Sequence, residues 1–239
     1  MIKKPLILAV ETSGRTGSVA IANGQQLLAE ATLSTHIRHS AEIFSAVHSL
    51  LSRFNRSPDQ IQHIYISVGP GSFTGLRIAV TMAKTMHLAN ATKVVAVDTS
   101  DVIAANASDY METEHKELKK IATILDAKRG QFFIAVYRNS RGRWIKTLPD
   151  CLMTALQFVQ KFADTEEPIK LLGEGLAYYT RLFRAPGVEF LDSGYWCPRA
   201  TKVHLLGYEM ACEGQFADPI TLEPTYLRRV EAEEKWRNP

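Results

Sequence analysis

Short apolar runs bounded by turn residues recur along the first hundred residues and predict buried strands. These runs are residues 6–10, 18–22, 64–68 and 94–97. After the second run, the pair Asn23-Gly24 predicts a tight hairpin and therefore a further strand at 25–31. Two longer stretches, 43–54 and 76–89, carry apolar residues at helical spacing, and Ser40 is the expected N-cap of the first. The predicted order is β-β-β-α-β-α-β.

The second half of the chain repeats this order. Its expected strands are residues 121–125, 132–137, 144–148 and 170–172, and its expected helices are 154–162, 176–183 and 200–212. This order of elements is that of a ribonuclease H-like domain, and two such domains in succession are the plan of the actin-like ATPase (ASKHA) superfamily. We therefore predict an α/β protein with two ribonuclease H-like domains, residues 1–106 and 107–239, divided within the polar stretch 107–120.

The composition is that of an ordinary globular protein. Of 239 residues, 46% are hydrophobic and 22% charged, and the net charge of +3 is too small to indicate nucleic-acid binding by itself. Cys151, Cys197 and Cys212 form no CxxC pair, which fits reduced thiols. No apolar segment reaches membrane-spanning length. We expect a cytoplasmic protein without a membrane partner.

A glycine-rich turn, residues 69–75, connects a predicted strand to the second helix. Its sequence is Gly-Pro-Gly-Ser-Phe-Thr-Gly. Such a turn either presents backbone N–H groups to an anion or lets another segment pack closely against the chain. We interpret Gly69, Gly71 and Gly75 as architectural, so that a side chain at Gly75 should disrupt the start of the helix.

Two predicted strands end in carboxylates, Glu11 and Asp126. In the actin-like superfamily, a nucleotide lies on the turns that follow such strands. The first turn has small hydroxyl residues, Thr12 and Ser13, which suit a phosphate, whereas the second has the bulky Lys128 and Arg129. Two readings stay open: a weak nucleotide or anion site, or carboxylates that accept N–H bonds from their own turns. A small-molecule kinase-like ATPase is accordingly the alternative function.

Other chemistries fail on spacing. No two histidines are four residues apart on a predicted helix, so no HxxxH metal site is expected. A nucleophile elbow around Ser72 would need glycine where Pro70 and Thr74 stand, and no P-loop lysine follows the glycines. A dinucleotide fingerprint is one residue out of register at Gly75, and the predicted fourth strand lacks the acid that a two-metal nuclease needs. We predict no catalytic residues.

The second helix is apolar around most of its circumference, which indicates burial on two sides. One side covers the sheet, and the other is available to another chain or to the second domain. We favour a partner protein, and we expect Met82 and Met86 to face away from the core. The predicted contacts are Ile43, Val47, Arg77, Ile78, Met82 and Met86.

The run GPGSFTGLRIAVTMAKTMHLA, residues 69–89, closely resembles the signature of the TsaB (YeaZ) family. Supporting matches are ILAVETSGRTGSVAIA at 7–22, His39-Ser40, LDAKRGQFFIAVY at 125–137 and EPTYLR at 223–228. The resemblance spans essentially the whole chain. It favours TsaB over TsaD, the related enzyme that holds its metal through an HxxxH helix.

The resemblance implies a non-catalytic subunit. TsaB pairs with TsaD, which transfers a threonylcarbamoyl group to the adenosine beside the tRNA anticodon, and the ATPase TsaE joins the pair. It implies further that tRNA is reached only through the complex, that no cofactor is required beyond weak or interface-dependent nucleotide binding, and that the pairing surface lies on the two helices of the first domain. A self-complementary patch would also let two copies form a homodimer without TsaD.

Overall fold

The computed structural model describes residues 4–33 and 39–227. The strands are β1 Leu6–Glu11, β2 Ser18–Asn23, β3 Gln26–Thr32, β4 His63–Gly69, β5 Lys93–Asp98, β6 Lys120–Asp126, β7 Gln131–Ser140, β8 Arg143–Thr154, β9 Ile169–Leu172 and β10 Val188–Phe190. The helices are α1 His39–Arg53, α2 Phe73–Asn90, α3 Thr99–Ala104, α4 Asn106–Glu114, α5 Ala155–Phe162, α6 Leu176–Tyr179 and α7 Ala200–Cys212. Short 3₁₀ turns occupy Pro58–Gln60, Thr180–Phe183 and Ser193–Tyr195.

The chain forms two compact units. Among the described residues, the first unit contains those up to residue 106 and 197–224, and the second contains 107–196 and 225–227. The segment 197–224, which includes α7, therefore lies in the first unit, whereas the sequence analysis placed it in the second domain. The reason is that the apolar side chains of α7 pack on the first sheet, a long-range contact that chain order does not reveal.

The sheet of the first unit has the order β3-β2-β1-β4-β5. Strands β1, β2 and β3 pair antiparallel, and β4 and β5 continue the sheet in parallel. The Asn23-Gly24 hairpin is present, with Gly24 at a φ of +60°. Along the chain, these strands and the helices α1 and α2 follow one another in the predicted order β-β-β-α-β-α-β.

Alternate residues of β1 point to opposite faces of this sheet, as the period of a strand requires. Leu8 and Val10 join the core beneath α1 and α2, while Ile7 and Ala9 join a second core that α3 and α7 cover. The sheet is thus buried on both faces, and α1 and α2 lie side by side on one of them.

The second unit has a sheet of the same kind, with the order β10-β9-β6-β7-β8. β6 and β7, and β7 and β8, pair antiparallel, whereas β9 pairs parallel to both β6 and β10. Phe158 of α5 and Phe183 pack on this sheet and are fully buried. The repeat of the first unit's strand order within the second confirms the predicted fold class.

Several elements differ from the sequence-based expectation. The stretch at 107–120, predicted as a polar connection, contains most of helix α4, and the short strand β10 was not predicted. β8 extends well past its expected end and includes Pro149. Because β8 lies at the edge of its sheet and its pairing with β7 is irregular there, the missing N–H of a proline is tolerated.

Candidate functional site

An apolar groove lies between α1 and α2 on the first unit and encloses about 1110 Å³. The apolar side chains that line it are Phe44, Val47, Pro58, Ile61, Phe73, Ile78, Met82, Met86 and Ala89. The polar ones are Ser45, His48, Thr74, Arg77, Thr81, Thr85 and Asn90. The groove exists because one apolar stripe of each helix packs on the sheet, while further apolar residues of both helices remain uncovered between them.

The floor and the rim of the groove differ in exposure. Val47 and Met82 form part of the floor and are nearly buried, with 5% and 7% of their surface exposed. The rim carries two aromatic rings, Phe44 at 63% and Phe73 at 38% exposure. Large aromatic side chains left in water beside an apolar channel are typical of a protein-binding surface.

Most of the contacts predicted from the sequence lie together in this groove. Val47, Arg77, Ile78, Met82 and Met86 all line it. Ile43 does not, because its side chain is completely buried in the core of the first unit. The expectation that Met82 faces away from the core is also wrong, since Met82 belongs to the same buried cluster.

Phe44 and Phe73 line the groove but are absent from the contacts predicted from the sequence. Phe44 is one of the apolar residues whose helical spacing predicts α1. Its neighbour Ile43 shares a stripe with Val47 and Leu50, at offsets of four and seven residues, and Phe44 is rotated about 100° from that stripe. The position of Phe44 next to the stripe, rather than on it, was the available signal.

Arg77 sits directly over an aromatic ring at the rim. Its guanidinium carbon lies 3.8 Å from the centre of the Phe73 ring. A guanidinium over a ring face is attracted by the ring quadrupole, and the contact orders both exposed side chains. The start of α2 therefore presents a flat aromatic surface with a positive charge on it.

The glycine turn packs against the turn that follows β1. A Cβ atom at Gly71 would lie 2.6 Å from the carbonyl oxygen of Ser13, and one at Gly75 would lie 1.8 Å from that of Thr12. Ser72 caps α2, since its hydroxyl accepts the N–H of Gly75 at 3.3 Å. Gly69 has a φ of +126°, a conformation that favours glycine. The close-packing role of this turn is thus visible in its geometry.

The side chains of the first candidate anion site are committed to bonds within the chain. Glu11 is fully buried, and its carboxylate accepts the N–H of Ser13 at 2.6 Å, the hydroxyl of Ser13 and the hydroxyl of Ser67. The hydroxyl of Thr12 donates to the carbonyl oxygen of Gly75 at 2.7 Å. These bonds correspond to the second of the two readings given for this turn, in which the strand-end carboxylate accepts bonds from its own turn.

Asp126 in the second unit is likewise occupied by its own turn. One carboxylate oxygen accepts the N–H of Lys128 at 2.8 Å, and the other pairs with the Lys128 ammonium at 2.7 Å. Lys128 and Arg129 both adopt positive φ, at 64° and 56°, so this turn is tight and bears long side chains. These contacts match the structural reading of both strand-end carboxylates.

Neither a cluster of metal-ligand side chains nor a membrane-spanning helix is found in the described ranges. Across residues 4–33 and 39–227, no three His, Cys, Asp or Glu side chains come together as metal ligands. The side chains of His39 and Ser40 lie outside the described residues, but α1 begins at His39, so Ser40 is the second residue of the helix and not its predicted N-cap. Within the same ranges, none of the helices combines the length and apolar character needed to span a bilayer.

Two units, each built on the sheet order that ribonuclease H-like domains share, define a protein of the actin-like ATPase superfamily. The family model described as "TsaD: tRNA N6-adenosine threonylcarbamoyltransferase" matches residues 26–186. The chain is 30% identical over 96% of its length to the tRNA threonylcarbamoyladenosine biosynthesis protein TsaB of Bacillus subtilis (strain 168), and it covers 97% of that relative. The chain therefore belongs to this family and, within it, to the TsaB (YeaZ) branch.

Two further comparisons agree with this placement. The TsaB of Escherichia coli (strain K12) is 24% identical, with 93% of the present chain and 94% of that relative covered. The solved structure of YeaZ from Pseudomonas aeruginosa superposes with a TM-score of 0.77 at 21% identity, covering 93% of this chain and all of that one. The structural likeness shows that the fold is shared.

Proposed function

We propose that this protein is the non-catalytic partner of TsaD in the threonylcarbamoylation of the adenosine beside the tRNA anticodon. The observation that carries the proposal is the apolar groove between α1 and α2, with Phe44 and Phe73 exposed at its rim, in a member of the TsaB family. The groove receives a helical surface of TsaD. The chain reaches tRNA only through that complex, which TsaE joins in the cytoplasm.

The exposed and half-buried apolar side chains of the groove support a stable pairing with TsaD. Burial of a large apolar side chain is worth about 1.5–3 kcal/mol. A few such residues at the centre of an interface dominate its affinity, and aromatic residues are prominent among them. Phe44 and Phe73 supply the aromatic anchors, and the half-buried Ile78 and Met86 supply an apolar surface between them.

The same surface serves for self-association when TsaD is absent. Isologous pairing needs only a self-complementary patch, and the exposed rings of Phe44 and Phe73 in one copy can enter the apolar groove of a second copy. We expect a weak homodimer that TsaD displaces. Its signature is a mass that rises with protein concentration and falls when Phe44 is replaced by Asp.

The proposal assigns no chemistry to this chain. The carboxylates and hydroxyls that would handle a phosphate, Glu11, Thr12, Ser13 and Asp126, all bond to their own or adjacent turns. Purified chain is expected to hydrolyse no ATP and to bind nucleotide only weakly, or only at the interface with TsaD. ATP turnover that Asp126→Ala abolishes would favour the kinase-like alternative instead.

Co-purification with TsaD from the same organism tests the pairing directly. We expect the tagged chain to retain TsaD and the two to elute together, with light scattering giving the mass of one copy of each. Adding tRNA, threonylcarbamoyl adenylate and TsaE should then yield modified adenosine that neither chain produces alone. Separate elution of the two chains at micromolar concentration would contradict the proposal.

A further inference from the structure

The turn after β1 and the glycine turn before α2 are joined by hydrogen bonds in both directions. The N–H of Ser72 donates to the carbonyl oxygen of Ser13 at 2.7 Å. The hydroxyl of Thr12 donates to the carbonyl oxygen of Gly75 at 2.7 Å, although the two residues are 63 positions apart. These bonds connect a strand of the sheet to the first turn of a helix that borders the groove.

Thr12 is suited to this connection because it is fully buried. A carbonyl oxygen has two lone pairs, so Gly75 can accept the Thr12 hydroxyl as well as the helical N–H four residues later. Because solvent does not reach the buried Thr12 side chain, its hydroxyl has to find its hydrogen-bond partner within the protein. Loss of a buried hydrogen-bonding partner leaves an unsatisfied group and is correspondingly unfavourable.

Glu11 holds the turn from the other side. Its carboxylate accepts two bonds from Ser13 and one from the hydroxyl of Ser67, which lies on β4 just before the glycine turn. Strand β1, its turn and β4 are therefore fixed relative to one another. The bond from Thr12 to Gly75 then fixes the start of α2 relative to these elements.

The part of α2 that Thr12 contacts carries the rim of the groove. Phe73, Thr74 and Arg77 all line the groove, and they flank Gly75 in sequence. The Arg77 guanidinium lies over the Phe73 ring, so a shift of this turn moves both groups together. No side chain of the turn after β1 lines the groove itself.

We propose that Thr12 is a positioning residue for the partner groove: its hydroxyl fixes the first turn of α2 and thereby the placement of Phe73 and Arg77. The inference rests on the proposed function, because it assumes that TsaD occupies the groove. The Thr12 hydroxyl lies in the turn on which this superfamily places a phosphate. Here its role is to position a protein-binding surface.

The test compares the affinity for TsaD of the full chain and of variants that alter the hydroxyl. Thr12→Val removes the hydroxyl at nearly constant volume, and Thr12→Ser retains it. We expect Thr12→Val to weaken the affinity about tenfold, the effect that one lost buried hydrogen bond can transmit. Thr12→Ser should bind within about twofold of wild type. Isothermal titration below the melting temperature of every variant gives these values.

Two further variants separate positioning from general stability. Ser18→Ala removes another buried bond of the first unit, from the N–H of Ala200, on the α7 side of the sheet. It should lower the melting temperature without changing the affinity. Ser72→Ala removes the cap of α2 at an exposed position, so it tests the same helix start even if Thr12→Val does not fold. It should weaken binding.

Hydrogen exchange of the free variants supplies a readout that does not depend on TsaD. Thr12→Val and Ser72→Ala should exchange faster at the amides of residues 75–78, with α1 unchanged. Equal affinity of folded Thr12→Val and wild type, or equal weakening by Ser18→Ala, would overturn the positioning role. Absence of binding by the wild type would instead show that the proposed function is wrong, and the inference would fall with it.

Discussion

Position 75 requires glycine because there is no room for a side chain, and not because of its backbone conformation. A Cβ there would lie 1.8 Å from the backbone oxygen of Thr12, and Gly75 is not among the residues with positive φ. We predict that Gly75→Ala lowers the free energy of unfolding by at least about 2 kcal/mol, because backbone must move to admit the methyl group. Urea denaturation followed by circular dichroism measures the loss.

Gly142→Ala is the matched control for that substitution. Gly142 has a φ of +84° and open space around its Cβ position, so only the conformational cost of about 1–2 kcal/mol applies. If the Gly75 variant were as stable as wild type, or lost less than the Gly142 variant, the close-packing account of the glycine turn would be wrong.

His204 should make the protein sensitive to mild acid. Burial lowers its pKa, against the opposing effect of the Gly24 carbonyl oxygen 2.9 Å from Nε2. The folded state therefore binds a proton less readily than the unfolded state, whose histidine has a pKa of about 6.5. The stability that neutral His204 provides is complete above that pH and decreases as the pH falls toward the folded-state pKa.

We predict that the free energy of unfolding decreases from about pH 7 to about pH 5.5, and that His204→Gln flattens this dependence. Burial and the nearby Lys93 also lower the pKa of His63, so some dependence should persist in the variant. An unchanged slope in His204→Gln would contradict the assignment.

At the scale of elements, the two helices divide into a buried floor and an exposed rim. Met82 is 7% exposed and Phe44 is 63% exposed. We predict that Met82→Asp lowers the free energy of unfolding by roughly 3 kcal/mol or more, because it places a carboxylate in the core. Phe44→Asp should change it by less than about 1 kcal/mol. Thermal and urea unfolding at low protein concentration measure both losses of stability. A larger loss for Phe44→Asp than for Met82→Asp would show that the floor and the rim are assigned incorrectly.

Only some features of these elements could be predicted from the sequence. Apolar periodicity predicted α1, α2 and the succession of strands and helices along the chain, because each element depends on residues near one another in the sequence. It indicated which helices carry surplus apolar surface, but not how deep each residue lies. The burial of Ile43 and Met82 depends on how α1 and α2 pack together, and the bond from Thr12 to Gly75 joins distant positions. Neither this burial nor this long-range bond can be predicted from the local spacing of apolar residues.

At the scale of the molecule, the segment 197–224 belongs to the first unit although it follows the second in the chain. The N–H of Ala200 donates to Ser18 on β2, and a Cβ at Gly207 would lie 2.7 Å from the ring of Tyr65 on β4. Periodicity predicted α7 correctly but could not show which sheet it covers, since both sheets precede it.

Removal of residues 197–239 should therefore destabilise the first unit selectively. The truncation uncovers the sheet face that Val203 and Ala200 bury, so amides of β1 and β4 should lose hydrogen-exchange protection while those of β6 and β7 keep it. A truncation after Pro224 is the control: it leaves α7 on the first sheet, so the amides of β1 and β4 should keep their protection. Equal loss of protection in the two sheets would contradict this division of the chain.

The affinity of the chain for TsaD from the same organism tests the central claim most directly. Phe44→Asp and Leu156→Asp introduce the same charge at positions of similar exposure, 63% on α1 and 66% on α5. If TsaD occupies the groove, the dissociation constant should rise at least about a hundredfold for Phe44→Asp and stay unchanged for Leu156→Asp. Wild-type affinity in the Phe44 variant, or equal weakening in both variants, would show that the groove is not the TsaD-binding surface.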